Sequence, residues 1–446
     1  MRRLTGSMIV LAALFAGCSV AERREERGGK VWTGVDQSGS VEVRPFPQAS
    51  ERSAGFDEQR LASGFDDWEP FVAADRNSAW VYQLVTRYAG GLVDIVLRRS
   101  PDSGATWEER RIPRTGASQY DPQIAVDDHG VVYVTWLERS NYSTLFARSF
   151  DHGETWTDPI AVDGGLTNGT DHGWLAVSGD GVHVYVAFSR MGSHFVASHD
   201  GGETFDPPLR TTGDERLWLH SGGAVAADGT VYFAAADYDR HYRGPTRVGV
   251  WSSRDQGATW SFVELDRSAE PPDCQFSPGC EFGFLSPVIG LAVDTSGSLL
   301  VAYNAGRRSG EPQRIWVRRS DDRGETWSRP VAISHPDPLA NNAFPAVAAG
   351  TEPGDFRVVW QGDANGNTTA FNTWQRATSD GGVSWGPFVR LSDLGGRAPY
   401  KRAAGYRFMY GDYLGASVDG AGTLHAIWGE AGDLRGPGGC WYTRGR

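Results

Sequence analysis

Helical periodicity is what this 446-residue chain most plainly lacks: no stretch of useful length repeats its apolar residues at helical spacing. Helix bundles and helix-wrapped parallel sheets are thereby excluded. Cysteine is scarce, with four residues in the whole chain, so the fold cannot rest on a disulfide scaffold. Neither a His-Glu-x-x-His zinc motif nor a Gly-rich phosphate loop occurs, and nothing signals a nucleotide, redox or haem group; the expected cofactor is none, and no metal site is expected. Long apolar runs are missing too, so no segment is long enough to span a bilayer as a helix. There is no basic block: 43 Lys plus Arg face 55 Asp plus Glu, a net charge of −12. A chain that cannot neutralise phosphates is a poor nucleic-acid partner. What is abundant is glycine, 57 residues, and aromatic side chains, 12% of the chain, the composition of short strands joined by many tight turns.

The first residues read as an export signal. Arg2 and Arg3 precede the apolar run Met8 to Ala16, "MIVLAALFA", which is too short to span a membrane, and "FAGC" follows, ending at Cys18. Small residues before a cysteine at this place resemble a bacterial lipoprotein box, with Phe15 where Leu is usual. This makes residues 1–18 a signal peptide with Cys18 as lipidation site, and the membrane a partner through the lipid; an ordinary secretory signal is the alternative. Residues 19–39, "SVAERREERGGK" and onward, are charged and Gly-bearing, the composition of a flexible tether. The expected location is the bacterial cell envelope, lipid-anchored at the outer membrane or cell surface, or else secreted or periplasmic. Cys274 and Cys280 lie close together in the Pro-rich "PPDCQFSPGCEFG". Export favours a disulfide between them over a zinc pair. Cys440 is left over, a candidate to pack among apolar neighbours.

Residues 40–446 are built from repeats. Seven segments each join a short apolar strand, an Asp- and Gly-rich turn and a second apolar strand; "DPQIAVDDHGVVYVTWL" from Asp121 and "GDYLGASVDGAGTLHAIW" from Gly411 are two of them. A third strand then runs into a phrase that recurs six times: "SPDSGATW", "SFDHGETW", "SHDGGETF", "SRDQGATW", "SDDRGETW" and the looser "TSDGGVSW". Its aspartates are Asp102, Asp151, Asp200, Asp255, Asp322 and Asp380, spaced 49, 49, 55, 67 and 58 apart. A fourth strand follows each phrase. Four-stranded antiparallel units of about fifty residues, seven in number, predict an all-β, seven-bladed β-propeller, with a six-bladed ring as the alternative. The seventh unit shows three strands, ending with Cys440 to Arg444. Its outer strand is expected from Ser40 to Gln48, "SVEVRPFPQ", closing the ring by joining the chain ends.

Within the phrase the chemistry is local. The Asp carboxylate can accept N–H bonds from its own loop, Gly permits a left-handed φ, and Trp buries a large apolar face. Six copies spread around a ring cannot surround one substrate, so the phrase reads as a fastener. A calcium site is the rival, but one dependable carboxylate per turn is thin for a cation that wants six or more oxygens.

The phrase resembles the Asp-box, or bacterial neuraminidase repeat, of the sialidase superfamily, and the resemblance covers about residues 60–446. It implies the propeller fold, and for activity it implies a glycoside hydrolase or a non-catalytic relative. Catalytic sialidases carry three arginines that clamp a carboxylate, a Tyr nucleophile helped by a Glu, and an Asp acid/base. An Arg-Ile-Pro motif belongs on their first inner strand. Here Arg111, Ile112 and Pro113 follow the first Asp-box on an outer strand, and the first inner strand begins "DDWEPFVAAD" without Arg.

A propeller builds its ligand face where each inner strand begins and where the second strand passes to the third. The inner-strand starts offer Asp67, Glu69, Tyr120, Asp121, Asp171, His172, His220, Asn342, Tyr410, Asp412 and Tyr413. The second loops offer Glu138, Arg139, Arg190, Asp239, Arg240, Arg307, Arg308, Asp363 and Glu430. The catalytic candidates are Glu69, Asp121 and Tyr410, because paired carboxylates can hydrolyse a glycosidic bond. The ligand-binding candidates are Arg139, Arg190, Arg240, Arg307, Asp171, His172, His220, Asp412 and Tyr413, since arginines hold carboxylate or phosphate bidentately. Recurrence of the arginines in successive blades equally suits ion pairs between neighbours. Three functions stay open: glycan binding in an axial funnel, glycoside hydrolysis there, and an envelope scaffold for other proteins. A monomer with a carbohydrate ligand is the expected state.

Overall fold

The computed structural model describes residues 56–446 apart from 62–65, 89–90, 141, 166–169, 214–215, 240–244, 273–285, 363–371, 393–413 and 432–437. It is an all-β, seven-bladed propeller. Each blade is a four-stranded antiparallel sheet, and the described residues contain no helix. The innermost strands are Asp66–Ala74, Gln119–Val126, Asp171–Val177, Leu217–Val225, Ile289–Val293, Asn342–Ala349 and Gly415–Val418 for blades one to seven.

Inner strands crowd the axis, and the sequence answers with small residues. A Cβ on Gly222 of blade four would lie 2.7 Å from the backbone N of Leu291 in blade five. One on Gly415 of blade seven would lie 2.8 Å from the backbone N of Val72 in blade one. The second strands pack between sheets and are almost wholly buried; Trp136, Trp360 and Trp428 from three of them are fully enclosed. Truncating a side chain of that size in a core costs about 3–5 kcal/mol.

The ring closes as expected, by an N-terminal strand on blade seven, but a different segment supplies it. Asp57–Leu61 pairs antiparallel with Gly438–Gly445, Asp57 opposite Arg444 and Leu61 opposite Cys440. Ser40–Gln48 lies outside the described residues. The reason is reach: Leu61 is joined to the inner strand at Asp66 by four residues, whereas a strand ending at Gln48 would leave a long loop to order.

Six of the seven blades turn from third to fourth strand through the Asp-x-Gly phrase, and the seventh, made from both chain ends, has no such turn. In all six the geometry repeats. The hydroxyl before the Asp donates to Oδ1 at 2.7–2.8 Å. The N–H four residues on donates to the same oxygen at 2.8–2.9 Å. The hydroxyl of that residue donates to Oδ2 at 2.5–2.7 Å. Both carboxylate oxygens are thus engaged by their own turn. These turns sit beside those between the first and second strands, as Ser103 N to Ala79 O at 2.8 Å and Gly201 N to Val182 O at 2.8 Å show. They therefore lie at the end of the ring away from the inner-strand starts.

A tyrosine at the head of several second strands links that turn to the next blade. Tyr82 of blade one bonds His152 in the blade-two phrase at 2.8 Å. Tyr232 of blade four donates to Arg323 O of blade five at 3.2 Å. In blade seven the counterpart is Tyr442, which comes from the third strand, meets His425 Nδ1 at 2.6 Å and packs its ring against Trp107 of blade one.

Candidate functional site

The end where the inner strands begin is shaped by one recurring irregularity. Five of the seven inner strands shift register there: between Trp68 and Phe71, Tyr120 and Gln123, Asp171 and Trp174, His220 and Gly222, and Ala343 and Ala346. A bulge re-aims side chains, and bulges gather beside functional sites. In blades one, two and six the bulged residue precedes a proline and is left-handed: Glu69 at φ 48°, Asp121 at 52° and Phe344 at 53°. None is a glycine, so each holds backbone strain of order 1–3 kcal/mol.

The bulges of blades one and two meet. Glu69 Oε2 accepts the Asp121 N–H at 3.1 Å and the Thr86 hydroxyl at 2.7 Å. Two acidic residues are thereby joined across a blade boundary, Glu69 buried and Asp121 half-buried. Beside them runs a line of rings: Trp68 to Tyr88 with centroids 5.2 Å apart, then Tyr88 to Tyr120 at 6.2 Å. Arg139 ends the line, its guanidinium 5.9 Å from the Tyr120 centroid and its Nη1 donating to the Tyr120 hydroxyl at 3.1 Å. Burial works against the Arg139 charge, but the Tyr120 and Tyr142 hydroxyls more than offset it, so its pKa is raised. Near the axis, Phe71, Trp174 and Phe344 wall a cavity of about 230 Å³ whose remaining lining is mainly aliphatic side chain and glycine backbone. Phe71 and Trp174 meet edge to face at 5.3 Å. A ring-lined cavity can stack the C–H face of a sugar, and guanidinium groups can bond its hydroxyls or a carboxylate.

Of the candidates read from sequence, Glu69, Asp121 and, through Tyr120, Arg139 come together here. Others do not join them. His220 is fully buried, its Nε2 2.9 Å from the Ser193 hydroxyl and its ring edge-on to Phe195, so it belongs to the packing of blades three and four and not to a funnel wall. Arg307 pairs with Asp266 of blade four at 2.7 Å and lies 4.2 Å over the Trp316 ring, the inter-blade arrangement that recurrence allowed. Asp67 is fully buried between Arg87 at 2.7 Å and Arg98 at 2.5 Å, and Glu109 bonds the same two arginines. Those bonds, Arg87 first, hold the Glu109 carboxyl down to about 2. Arg111 of the Arg-Ile-Pro triplet sits at the end of the outer strand of blade one, facing Asp94. Asp171 opens the blade-three inner strand opposite Ser189, and Arg190 is half-buried with its N–H on Gly192 O at 3.1 Å. The side chains of His172 and Glu430, and residues Arg240, Asp363, Tyr410, Asp412 and Tyr413, lie outside the described residues, as do Cys18, Cys274 and Cys280. Cys440 is buried with its thiol pushed up by burial.

Sequence reasoning passed over Trp68, Tyr88 and the cavity rings Phe71, Trp174 and Phe344. A signal for the last three was present: a large aromatic stands within or beside the bulge where blades four and five place glycine.

No known protein family profile matches the chain. A xyloglucanase of Paenibacillus sp. is 25% identical over an alignment 308 residues long that covers 63% of this chain and 26% of that protein. The chain therefore spans about a quarter of that relative's length. Among solved structures, an ulvan lyase, a polysaccharide lyase bound to -[GlcA(1-4)Rha3S]-, superposes with TM-score 0.51 at 14% identity, over 86% of this chain and 95% of that one. A Hadza microbial sialidase gives TM-score 0.46 at 15% identity, over 83% and 74%. At these identities the likeness is one of fold.

Proposed function

We propose that this protein is a glycan-binding propeller that takes an anionic carbohydrate at the bulged end of blades one and two. The observation that carries the reading is Arg139 held over Tyr120 beside the Glu69–Asp121 contact. The ring stacks on the apolar face of a sugar while the guanidinium's remaining N–H groups bond a carboxylate or sulfate. The names of the similar proteins, a xyloglucanase and an ulvan lyase, support a polysaccharide as the ligand class. The export segment and Cys18 support placing the ring outside the cytoplasm on a lipid anchor; metabolic labelling with a fatty acid, lost on Cys18→Ser, tests that placement.

Titration calorimetry with neutral and uronic-acid oligosaccharides tests the binding. Tyr120→Ala should weaken it about two- to tenfold, the loss expected of about 0.5–1.5 kcal/mol of stacking. Arg139→Gln should erase the preference for the anionic series. Unchanged binding in both variants would remove the proposal.

One observation favours hydrolysis as a second reading: two carboxylate residues adjoin at strained backbone positions, Glu69 and Asp121. Release of reducing sugar by the unmodified protein, abolished in both Glu69→Gln and Asp121→Asn, would make it the better one.

A further inference from the structure

Corresponding places in blades one and two carry rings that the repeat does not call for. The inner-strand residue opposite the sixth residue of the second strand is Trp68 in blade one and Tyr120 in blade two. In blades three, four and six that place holds Asp171, Leu219 and Ala343, so a blade folds without an aromatic there. Two residues past the sixth position, blades one and two place Tyr88 and Arg139. The two pairs join into one row across the blade boundary. Trp68 and Tyr88 centroids lie 5.2 Å apart, Tyr88 and Tyr120 lie 6.2 Å apart, and Arg139 stands 5.9 Å from Tyr120. Trp68 is buried, while Tyr88, Tyr120 and Arg139 are half-buried and form the solvent-facing part. None of the four lines the axial cavity. Tyr88 and Arg139 end second strands, one step out from the axis, where a bound chain can run on past both ends of the row.

We propose that this row holds two successive sugars from the interior of a polysaccharide, an anionic one on Tyr120 beside Arg139 and an uncharged one on Tyr88. The inference rests on the glycan-binding reading above and narrows it to chains in which charged and neutral residues alternate. The charges along the row set that order. Arg139 stands at the Tyr120 end, its guanidinium held by the Tyr120 hydroxyl at 3.1 Å, and can meet a carboxylate or sulfate. Arg87, the neighbour of Tyr88 in the chain, is turned into the sheet, bonded to Asp67 at 2.7 Å and to Glu109 at 2.8 Å. Glu69 and Asp121, each next in the chain to a ring of the row, meet at 3.1 Å and are acidic. A second anionic sugar would face that pair, and like charges brought together disfavour a partner. The 6.2 Å between Tyr88 and Tyr120 is on the scale of one pyranose step along an extended chain. The two rings are tilted by 59°, a twisted platform that suits successive sugars rotated about the chain axis.

Hyaluronan, chondroitin and heparosan, three alternating polymers of different linkage, test this by calorimetry with the full chain, against polygalacturonate, which is charged at every residue. At least one alternating polymer should bind, and at high molar mass it should load several copies of the protein per chain. Polygalacturonate should bind it about tenfold more weakly or worse. Tyr88→Ala should weaken binding of the tetrasaccharide of that polymer about two- to tenfold and leave methyl glucuronide, followed by ligand-observed NMR, unchanged. The first two measurements use the unmodified protein, so they stand even if Tyr88→Ala folds poorly. One protein per long chain would mean recognition of a chain end and would overturn the proposal. So would polygalacturonate binding as tightly as the alternating polymer, or an equal loss for tetrasaccharide and methyl glucuronide in Tyr88→Ala. Failure of every anionic probe to bind would instead remove the glycan-binding reading on which the proposal rests.

Discussion

Glu69 of blade one accepts the backbone N–H of Asp121 in blade two at 3.1 Å, so one carboxylate both holds a strained bulge and stands at the candidate ligand face. The two duties separate by substitution. Glu69→Gln keeps an oxygen able to accept the same N–H and should unfold within about 1 kcal/mol of the parent. Glu69→Ala leaves that N–H and the Thr86 hydroxyl without their acceptor and should cost about 1–3 kcal/mol in denaturant unfolding. Equal losses in the two variants would show that the hydrogen bond is not what holds the bulge.

The six Asp-x-Gly turns predict how the ring responds to acid. Hydrogen bonds from Thr106 and Thr155 lower Asp102 and Asp151 to about 2, and those from Thr326 do the same for Asp322. A carboxyl whose folded pKa lies below its unfolded value stabilises the fold fully above the ordinary carboxylate range and loses that stabilisation as pH falls through the folded value. The melting temperature should therefore hold from neutral pH down to about 5 and decline from about 4 toward 2. Asp151→Asn should lower it at pH 7 and flatten the acid slope, because one titrating clasp is gone. A slope unchanged in that variant would place the acid sensitivity elsewhere.

The limits of sequence reading fall along a physical line. Strands, turns and blade number were legible because each is written locally: period-two alternation, Asp and Gly at fixed offsets, and a repeat of about fifty residues. The Glu69–Asp121 contact was not legible, because it depends on which bulges face each other across a blade boundary. Nor was the burial of Asp67 between Arg87 and Arg98, since an acidic residue at a strand start looks the same in sequence whether it meets solvent or two guanidinium groups. His220 failed as a ligand group for the same reason: Phe195 and Ser193, which enclose it, come from another blade.

Arg307 and Asp266 make a direct test of the inter-blade role of the recurring arginines. The pair is partly exposed, so its worth is modest despite the 2.7 Å contact. Stacking on Trp316 adds a cation–π term of about 0.5–1 kcal/mol. Arg307→Ala should lower stability by about 1 kcal/mol and leave oligosaccharide affinity within twofold of the parent. A tenfold loss of affinity without loss of stability would instead place Arg307 in the ligand site.

Closure of the ring gives the sharpest prediction, because two N-terminal segments compete for the role on paper and one pairs in the structure. Asp57–Leu61 makes five successive register pairs with the last strand, while Ser40–Gln48 has the stronger apolar alternation. If pairing with Gly438–Gly445 is what matters, a chain beginning at residue 56 should melt within a few degrees of the parent. A chain beginning at residue 62 exposes a strand edge and uncovers Cys440 and Tyr442, both buried in the closed ring. It should melt far lower and self-associate through the open edge, as seen by light scattering. A large loss already on removal of residues 1–55 would return the closing role to the earlier segment.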